Sequence, residues 1–172
     1  MAQDTSAQVD DWLNSIWYLL VNFMNSTTNN LRVVTYNIHS GVGVDGLYSL
    51  DRLGLGIKAL EADVVALQEV DVNHSLQKTR NWSSIHCHDQ VAELARISGL
   101  EHHCFACAMT VVVENGLQKI GSGNGDFGIA VLSKHPILEN RICQYTLYGN
   151  MEPRVALAVR LSLPDSSNMW FV

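Results

Sequence analysis

Residues 63–70 read Asp-Val-Val-Ala-Leu-Gln-Glu-Val, an apolar run that ends in two polar side chains. Residues 64–67 are short, apolar and partly β-branched, which is typical of a strand that is buried on both faces. Glu69 follows directly, so its carboxylate is expected where this strand reaches solvent. Ligands and metal ions in α/β proteins collect at such strand ends. The stretch therefore predicts a buried strand that ends in a candidate functional carboxylate.

A second strand with a polar end is predicted upstream, at residues 31–37, which read Leu-Arg-Val-Val-Thr-Tyr-Asn. A glycine-rich loop follows at residues 41–46, and an amphipathic helix is expected after Ser49, which is a suitable N-cap. A right-handed strand–helix–strand crossover makes the two strands parallel. Asn37 and Glu69 are then expected at the same edge of one sheet.

The rest of the chain alternates between predicted strands and one further helix. The helix is predicted from about Asp89 to Ser98, with Gly99 as its C-cap. Asn115-Gly116 predicts a hairpin turn. Further strands are predicted at residues 102–113, 127–132, 154–163 and 169–172. This pattern indicates an α/β protein.

Residues 1–30 are predicted to form an N-terminal extension. It consists of a loose tail, a short apolar helix at residues 11–24 and a polar linker that ends at residue 30. The helix is too short to span a bilayer, and no Lys or Arg precedes Arg32, so a signal peptide's basic start is absent. We expect the helix to dock on the domain, with weak membrane contact as the alternative. A cytoplasmic location is the default expectation.

Composition restricts the classes of function. The 172 residues are 47% hydrophobic and 16% charged, which describes one globular domain. The net charge of −6 disfavours a protein that binds nucleic acid through a basic patch. An acidic chain instead suits a site where carboxylates surround a divalent cation.

The glycines of residues 41–46 match the Gly-x-Gly-x-x-Gly pattern of dinucleotide-binding proteins. Two details oppose this interpretation. Asn37 to Ser40 separate the strand from the first glycine, and the helix signals begin only after Gly46. We interpret the stretch as a turn.

Cys104-x-x-Cys107, preceded by two histidines, resembles a pair of zinc ligands. The pair falls in a predicted strand, where residues three apart point to opposite faces. We therefore disfavour a zinc site, and the four cysteines are expected to be reduced.

Three segments, taken in order, resemble the endonuclease/exonuclease/phosphatase family. They are residues 34–39 (Val-Thr-Tyr-Asn-Ile-His), residues 64–70, and residues 128–136 (Gly-Ile-Ala-Val-Leu-Ser-Lys-His-Pro). Residues 89–95 and 152–157 resemble the branch of that family described as metal-dependent hydrolases. The resemblance extends over about residues 31–172.

The resemblance implies part of a four-layer α/β sandwich, a Mg²⁺ or Mn²⁺ ion, and attack of water on a phosphate ester. By position it implies that Glu69 binds the metal ion and that Asn37 lies near the metal ion and the scissile phosphate, so both are candidate catalytic and metal-site residues. Arg80 and Arg154 are weaker candidates for substrate binding. The alternative for both arginines is a solvated or fold-stabilising charge.

The chain stops within the apolar strand predicted at residues 169–172, and the motifs that the family carries further on do not occur. We therefore expect residues 31–172 to be an incomplete domain, truncated at the C-terminus and inactive alone. The expected function is that of a divalent-metal-dependent phosphoesterase whose substrate is a lipid or small phosphoester rather than nucleic acid. Two alternatives stay open: a non-catalytic fragment or splice product that acts by binding, and, less favoured, a dinucleotide-binding domain.

Overall fold

The computed structural model describes residues 22–24, 30–72, 89–114, 117–120, 125–145 and 152–172. Within these ranges the chain forms nine strands, two α-helices and one short 3₁₀ turn at His39–Gly41. The helices are α1 (Leu50–Ala59) and α2 (Gln90–Ser98). The strands are β1 (Asn22–Met24), β2 (Leu31–Asn37), β3 (Val64–Val72), β4 (His102–Glu114), β5 (Leu117–Ile120), β6 (Gly125–Ser133), β7 (Ile137–Gln144), β8 (Val155–Ser162) and β9 (Asn168–Phe171).

The strands form two sheets. The larger sheet has six strands in the order β1-β2-β3-β6-β4-β5, and the smaller sheet has three in the order β7-β8-β9. Strands β2 and β3 are parallel, with Thr35 opposite Ala66, and all the other pairs are antiparallel. The parallel pair predicted from the strand–helix–strand order is therefore confirmed.

The helices predicted after Ser49 and from about residue 89 to residue 98 are present, with Ser49 and Gly99 as the predicted caps. The Ser49 side chain accepts a hydrogen bond from the Arg52 backbone N–H at the start of α1, and Asp89 does the same for Ala92 in α2. Helix α2 ends at Gly99, whose φ of 79° is left-handed. In the part of the chain that the structure describes, no helix is long and apolar enough to cross a bilayer.

Two hydrophobic cores divide the structure into layers. One core lies between the helices and one face of the larger sheet, and its buried side chains include Val34, Leu53, Ile57, Leu67, Leu94 and Leu132. The second core involves the smaller sheet, and its buried side chains are Val64, Ala106, Val131, Leu157, Val159 and Leu161. The described residues thus form a helix layer, a six-stranded sheet and a three-stranded sheet, as expected for an α/β sandwich.

Two features of the fold differ from the sequence-based expectations. Residues 22–24 were expected to end the apolar helix predicted at residues 11–24, but they form β1, with Asn22 opposite Val33 and Met24 opposite Leu31. Pairing with the outer edge of β2 satisfies the backbone N–H and C=O groups of this segment. The helical spacing of the apolar side chains does not reveal this pairing. Residues 11–21 and 25–29 lie outside the described residues. Strand β7 was not predicted, because its largely exposed residues lack a clear apolar alternation.

Candidate active site at the Asn37–Glu69 sheet edge

The two side chains that the sequence predicts at one sheet edge meet there. Asn37 ends β2 and lies opposite Gln68 in the parallel pair. The Asn37 Nδ2 atom donates a hydrogen bond of 2.7 Å to Oε1 of Glu69. Asn37 is exposed and Glu69 is half-buried, so this pair is open to a ligand from solvent.

The partners of the Asn37 amide determine its orientation. The Oδ1 atom accepts a hydrogen bond of 2.9 Å from the backbone N–H of His39, while the NH₂ group faces the Glu69 carboxylate. A backbone N–H can only donate and an ionised carboxylate can only accept, so a flipped amide would lose both bonds. The Asn37 NH₂ group therefore faces the Glu69 carboxylate and orients it through this hydrogen bond.

Glu69 is the extra residue of a β-bulge. The register of β3 against β6 shifts between Gln68 and Val70, and Glu69 has a φ of 57°. Leu67 and Val70 both pack in the helix-side core although they are three residues apart, which a regular strand would not allow. The bulge thus changes the direction of the strand's side chains at the residue that carries the carboxylate.

Gly128 on β6 lies beside two bulges. It is opposite Val70 of β3 on one side and Cys107 of β4 on the other, and the register of β4 shifts between Cys107 and Met109. A Cβ atom at Gly128 would overlap the carbonyl oxygen of Ala106. The close approach of β4 therefore requires glycine at the position that faces the bulge of Glu69.

The turn after Asn37 has an uncommon backbone conformation. His39, Ser40 and Gly41 have φ values of 47°, 52° and 89°. A left-handed conformation costs about 1–2 kcal/mol at a non-glycine residue. Of the five non-glycine residues with positive φ in the described ranges, three are His39, Ser40 and Glu69. Strained backbone that is concentrated at one place is typical of a functional site.

The glycine-rich loop is fastened to helix α1. Arg52 Nη1 lies 2.6 Å from Asp45 Oδ2, and Arg52 Nη2 donates to the carbonyl oxygen of Leu47. The hydrogen bond from Arg52, together with a backbone N–H bond from Leu47, lowers the pKa of Asp45 to about 2. Helix α1 begins at Leu50, four residues after Gly46, so the loop does not lead directly into the helix as in a dinucleotide fingerprint.

No described contact places the weaker candidates for substrate binding, Arg154 and Arg80, beside Asn37 and Glu69. Arg154 forms an exposed ion pair of 2.9 Å with Glu152 next to β8, and among the described residues no contact links it to Asn37 or Glu69. Arg80 lies outside the described residues.

The two strand cysteines lie in different surroundings. Cys104 packs against the core next to the smaller sheet, whereas the thiol of Cys107 lies 3.6 Å from Asp126 Oδ1, which also accepts a hydrogen bond from Thr110. Burial and the negative charge of Asp126 raise the pKa of Cys107. Within the described ranges, no group of three or more His, Cys, Asp or Glu residues is placed to hold a metal ion.

Sequence reasoning missed two residues that support the site, Gln90 and Gly128. Gln90 is a fully buried polar residue that bonds to the backbone near both site residues. The sequence does carry one signal of this role, because a polar residue at position 90 adjoins Val91 and Leu94 on the inner side of α2. Gly128 stood within a segment that matched the family, but its steric role depends on the register of three strands.

The described residues define an α/β sandwich with an amide–carboxylate pair at the carboxyl ends of its two parallel strands. A model of the Endonuclease/Exonuclease/phosphatase family matches residues 34–167, and the chain belongs to this family. Proteins of this family generally depend on a divalent metal ion. No match was found among curated proteins.

Solved structures of the same family are similar to the chain. An endonuclease/exonuclease/phosphatase from Beutenbergia cavernae DSM 12333 is 24% identical with a TM-score of 0.61, over 81% of this chain and 36% of that one. A family protein from Leptotrichia buccalis C-1013-b is 16% identical with a TM-score of 0.54, over 82% of this chain and 53% of that one. The chain thus spans 36% and 53% of the lengths of these proteins. The predicted fold class, an α/β sandwich of this family's type, is confirmed.

The donors at the sheet edge are compatible with Mg²⁺ or Mn²⁺. These hard cations prefer oxygen ligands, and Mg²⁺ in enzymes usually keeps several waters while it binds one or two carboxylates and the substrate's phosphates. Glu69 supplies one carboxylate beside solvent, and among the described residues its second oxygen, Oε2, has no hydrogen-bond partner. The site therefore fits a cation that needs few protein ligands.

Proposed function

We propose that the protein is a divalent-metal-dependent phosphoesterase in which Glu69 holds Mg²⁺ or Mn²⁺ and Asn37 orients the Glu69 carboxylate. The observation that supports this proposal is the 2.7 Å hydrogen bond between the two side chains at the adjoining ends of β2 and β3. The bulge and the positive φ of Glu69 add to it, because the fold accepts strain at this carboxylate.

Glu69 has the role of the metal ligand. A carboxylate at the rim of a rigid sheet is held in place while its free oxygen reaches solvent, which favours binding of a hard cation. Lewis-acid polarisation of a phosphoryl oxygen is the chemistry that a bound Mg²⁺ or Mn²⁺ supplies. The charge of Glu69 also keeps a second anion away from the pair unless a cation is present.

Asn37 has two roles in this proposal. One N–H of its NH₂ group orients Glu69, and the second can donate to an oxygen of the substrate's phosphate group. Its Oδ1 atom already accepts from the His39 N–H, so Asn37 could ligate the cation only through the remaining lone pair of that oxygen. We therefore assign the carboxylate as the principal ligand and the amide as the group that orients it.

The substrate that we propose is a phosphoester of a lipid or small molecule. The net charge of −6 supports this class over nucleic acid, since an acidic chain repels a polyanion. Arg154 remains a proposed substrate contact, as does Arg80. We further propose that the 172-residue chain is nearly inactive alone, because no described contact brings to the pair the base and the additional charge-stabilising groups that phosphoryl transfer needs. The cytoplasmic location remains a proposal.

Binding of Mn²⁺ to the purified chain tests the assignment. Isothermal titration should give an affinity that falls at least about tenfold in Glu69→Gln, which removes the charge and one ligand oxygen. Glu61→Gln is the matched control, since Glu61 is also a glutamate with positive φ but is paired with Arg32. Equal affinity of the wild-type chain and Glu69→Gln would contradict the proposal.

A further inference from the structure

Gln90 joins the backbone segments that follow Asn37 and Glu69. Its Nε2 atom donates a hydrogen bond of 2.8 Å to the carbonyl oxygen of Ser40, and its Oε1 atom accepts one of 2.9 Å from the backbone N–H of Asp71. Ser40 lies three residues after Asn37, and Asp71 lies two residues after Glu69. We propose that Gln90 is a positioning residue that sets the distance between Asn37 and Glu69. This inference rests on the proposed function of that pair.

The two partners of Gln90 are backbone groups at irregular points of the chain. Ser40 belongs to the left-handed turn, and Asp71 follows the bulge of β3. Buried backbone donors and acceptors require partners. Here the Asp71 N–H is a donor and the Ser40 carbonyl oxygen is an acceptor. A primary amide satisfies both at once. A glutamate at position 90 would present an acceptor to the Ser40 carbonyl, so the carboxamide itself is needed.

Helix α2 makes Gln90 a rigid support. Gln90 is the first residue of the helix and is fully buried, and Asp89 caps the helix through the Ala92 N–H. An isolated bridge between Val72 and Asp89 fastens the start of the helix to the end of β3. Val91 and Leu94 anchor the next turn in the core. A side chain held in this way keeps its rotamer, as a residue that orients a site must.

The turn on the other side is also packed tightly against Gln90. A Cβ atom at Gly41 would lie 3.2 Å from Gln90 Nε2 and 2.6 Å from Tyr48 Cε2. The strained turn is therefore confined between Gln90 and Tyr48. Without the Gln90 amide, His39 and Ser40 can relax towards negative φ, and the bond from the His39 N–H to Asn37 Oδ1 would be disturbed.

The experiment compares Gln90→Met with Leu94→Ala. Methionine has a similar volume to glutamine but makes neither hydrogen bond, whereas Leu94 is buried in the same helix and contributes only packing. The readouts are the side-chain ¹⁵N–¹H resonances of Asn37 and the affinity for Mn²⁺. We expect Gln90→Met to shift the Asn37 resonances and to weaken Mn²⁺ binding about tenfold. Leu94→Ala should melt earlier but leave both readouts unchanged.

A measurement on the wild-type chain covers the case in which Gln90→Met fails to fold. A scalar coupling through the hydrogen bond should connect the Asp71 amide nitrogen with the side-chain carbonyl carbon of Gln90. Absence of that coupling, or unshifted Asn37 resonances in folded Gln90→Met, would overturn the inference. If the wild-type chain fails to bind Mn²⁺, the proposed function fails, while the Asn37 resonances still test the positioning role.

Discussion

At the scale of single residues, the site combines a carboxylate with an amide whose orientation is determined by its neighbours. The His39 N–H donates a hydrogen bond to Asn37 and the Glu69 carboxylate accepts one from it, so only one orientation of the Asn37 amide satisfies both partners. Such a pair holds its geometry without a bound ion, which reduces the reorganisation that binding requires. Preorganisation of this kind is what a site that acts on a small charged group needs.

The pH dependence of the Asp45–Arg52 pair is a prediction at this scale. The pKa of Asp45 is lowered to about 2 in the folded chain, below its ordinary value of 3.8, chiefly by the hydrogen bond from Arg52. A lowered folded pKa contributes stability that is complete above the unfolded pKa and is lost as the pH falls through the folded one. The melting temperature of the wild-type chain should therefore exceed that of Asp45→Asn at pH 6. This difference should disappear between about pH 4 and pH 2.

Asp51→Asn serves as the control, because Asp51 is also an exposed acid but lies on helix α1 and is not paired with Arg52. The melting temperatures of the wild-type chain, Asp45→Asn and Asp51→Asn are compared as the pH is lowered from 6 to about 2. A constant difference between the wild-type chain and Asp45→Asn at every pH would show that the ion pair does not fasten the loop.

At the scale of elements, the carboxylate depends on how three strands fit together. Strand β6 lies between β3 and β4, and both neighbours bulge beside Gly128. The bulge of β3 turns Glu69 out of the regular alternation, and the bulge of β4 coincides with a close approach of the Ala106 backbone to Gly128. The position of Glu69 is therefore a property of the sheet as well as of its own strand.

Gly128→Ala is the prediction that follows for this sheet. The added methyl group meets the Ala106 carbonyl, so we expect the free energy of unfolding to fall by about 3 kcal/mol. Gly46→Ala is the matched control: its Cβ atom has open space, and only its φ of 74° opposes the change, at a cost of about 1 kcal/mol. Urea denaturation measures both. Equal losses for the two variants would mean that Gly128 has no steric role.

At the scale of the whole molecule, local signals predicted more than non-local ones. The caps Ser49 and Gly99 and the apolar run of β3 carry their information in a few neighbouring residues, and those elements were predicted. The meeting of Asn37 and Glu69 followed from the crossover rule. The bulge at Glu69, the strand at residues 22–24 and the two bonds of Gln90 depend on partners 7 to 61 positions away, which no local pattern encodes.

The acidic balance of the chain gives a prediction at this scale. With a net charge of −6, the protein should not bind duplex DNA even at low ionic strength, where electrostatic attraction is strongest. Fluorescence anisotropy of a labelled duplex, with and without Mg²⁺, measures this. Binding that weakens steeply with added salt would reveal a basic surface and would favour nucleic acid as the substrate.

The proposed function requires that Glu69 hold a divalent cation beside Asn37. An anomalous difference map from crystals soaked in Mn²⁺ tests it most directly, because it locates the ion without relying on turnover. We expect a peak about 2.0–2.6 Å from a carboxylate oxygen of Glu69, with the Asn37 amide still bonded to that carboxylate. A peak at other carboxylates, with none at Glu69, would contradict the claim.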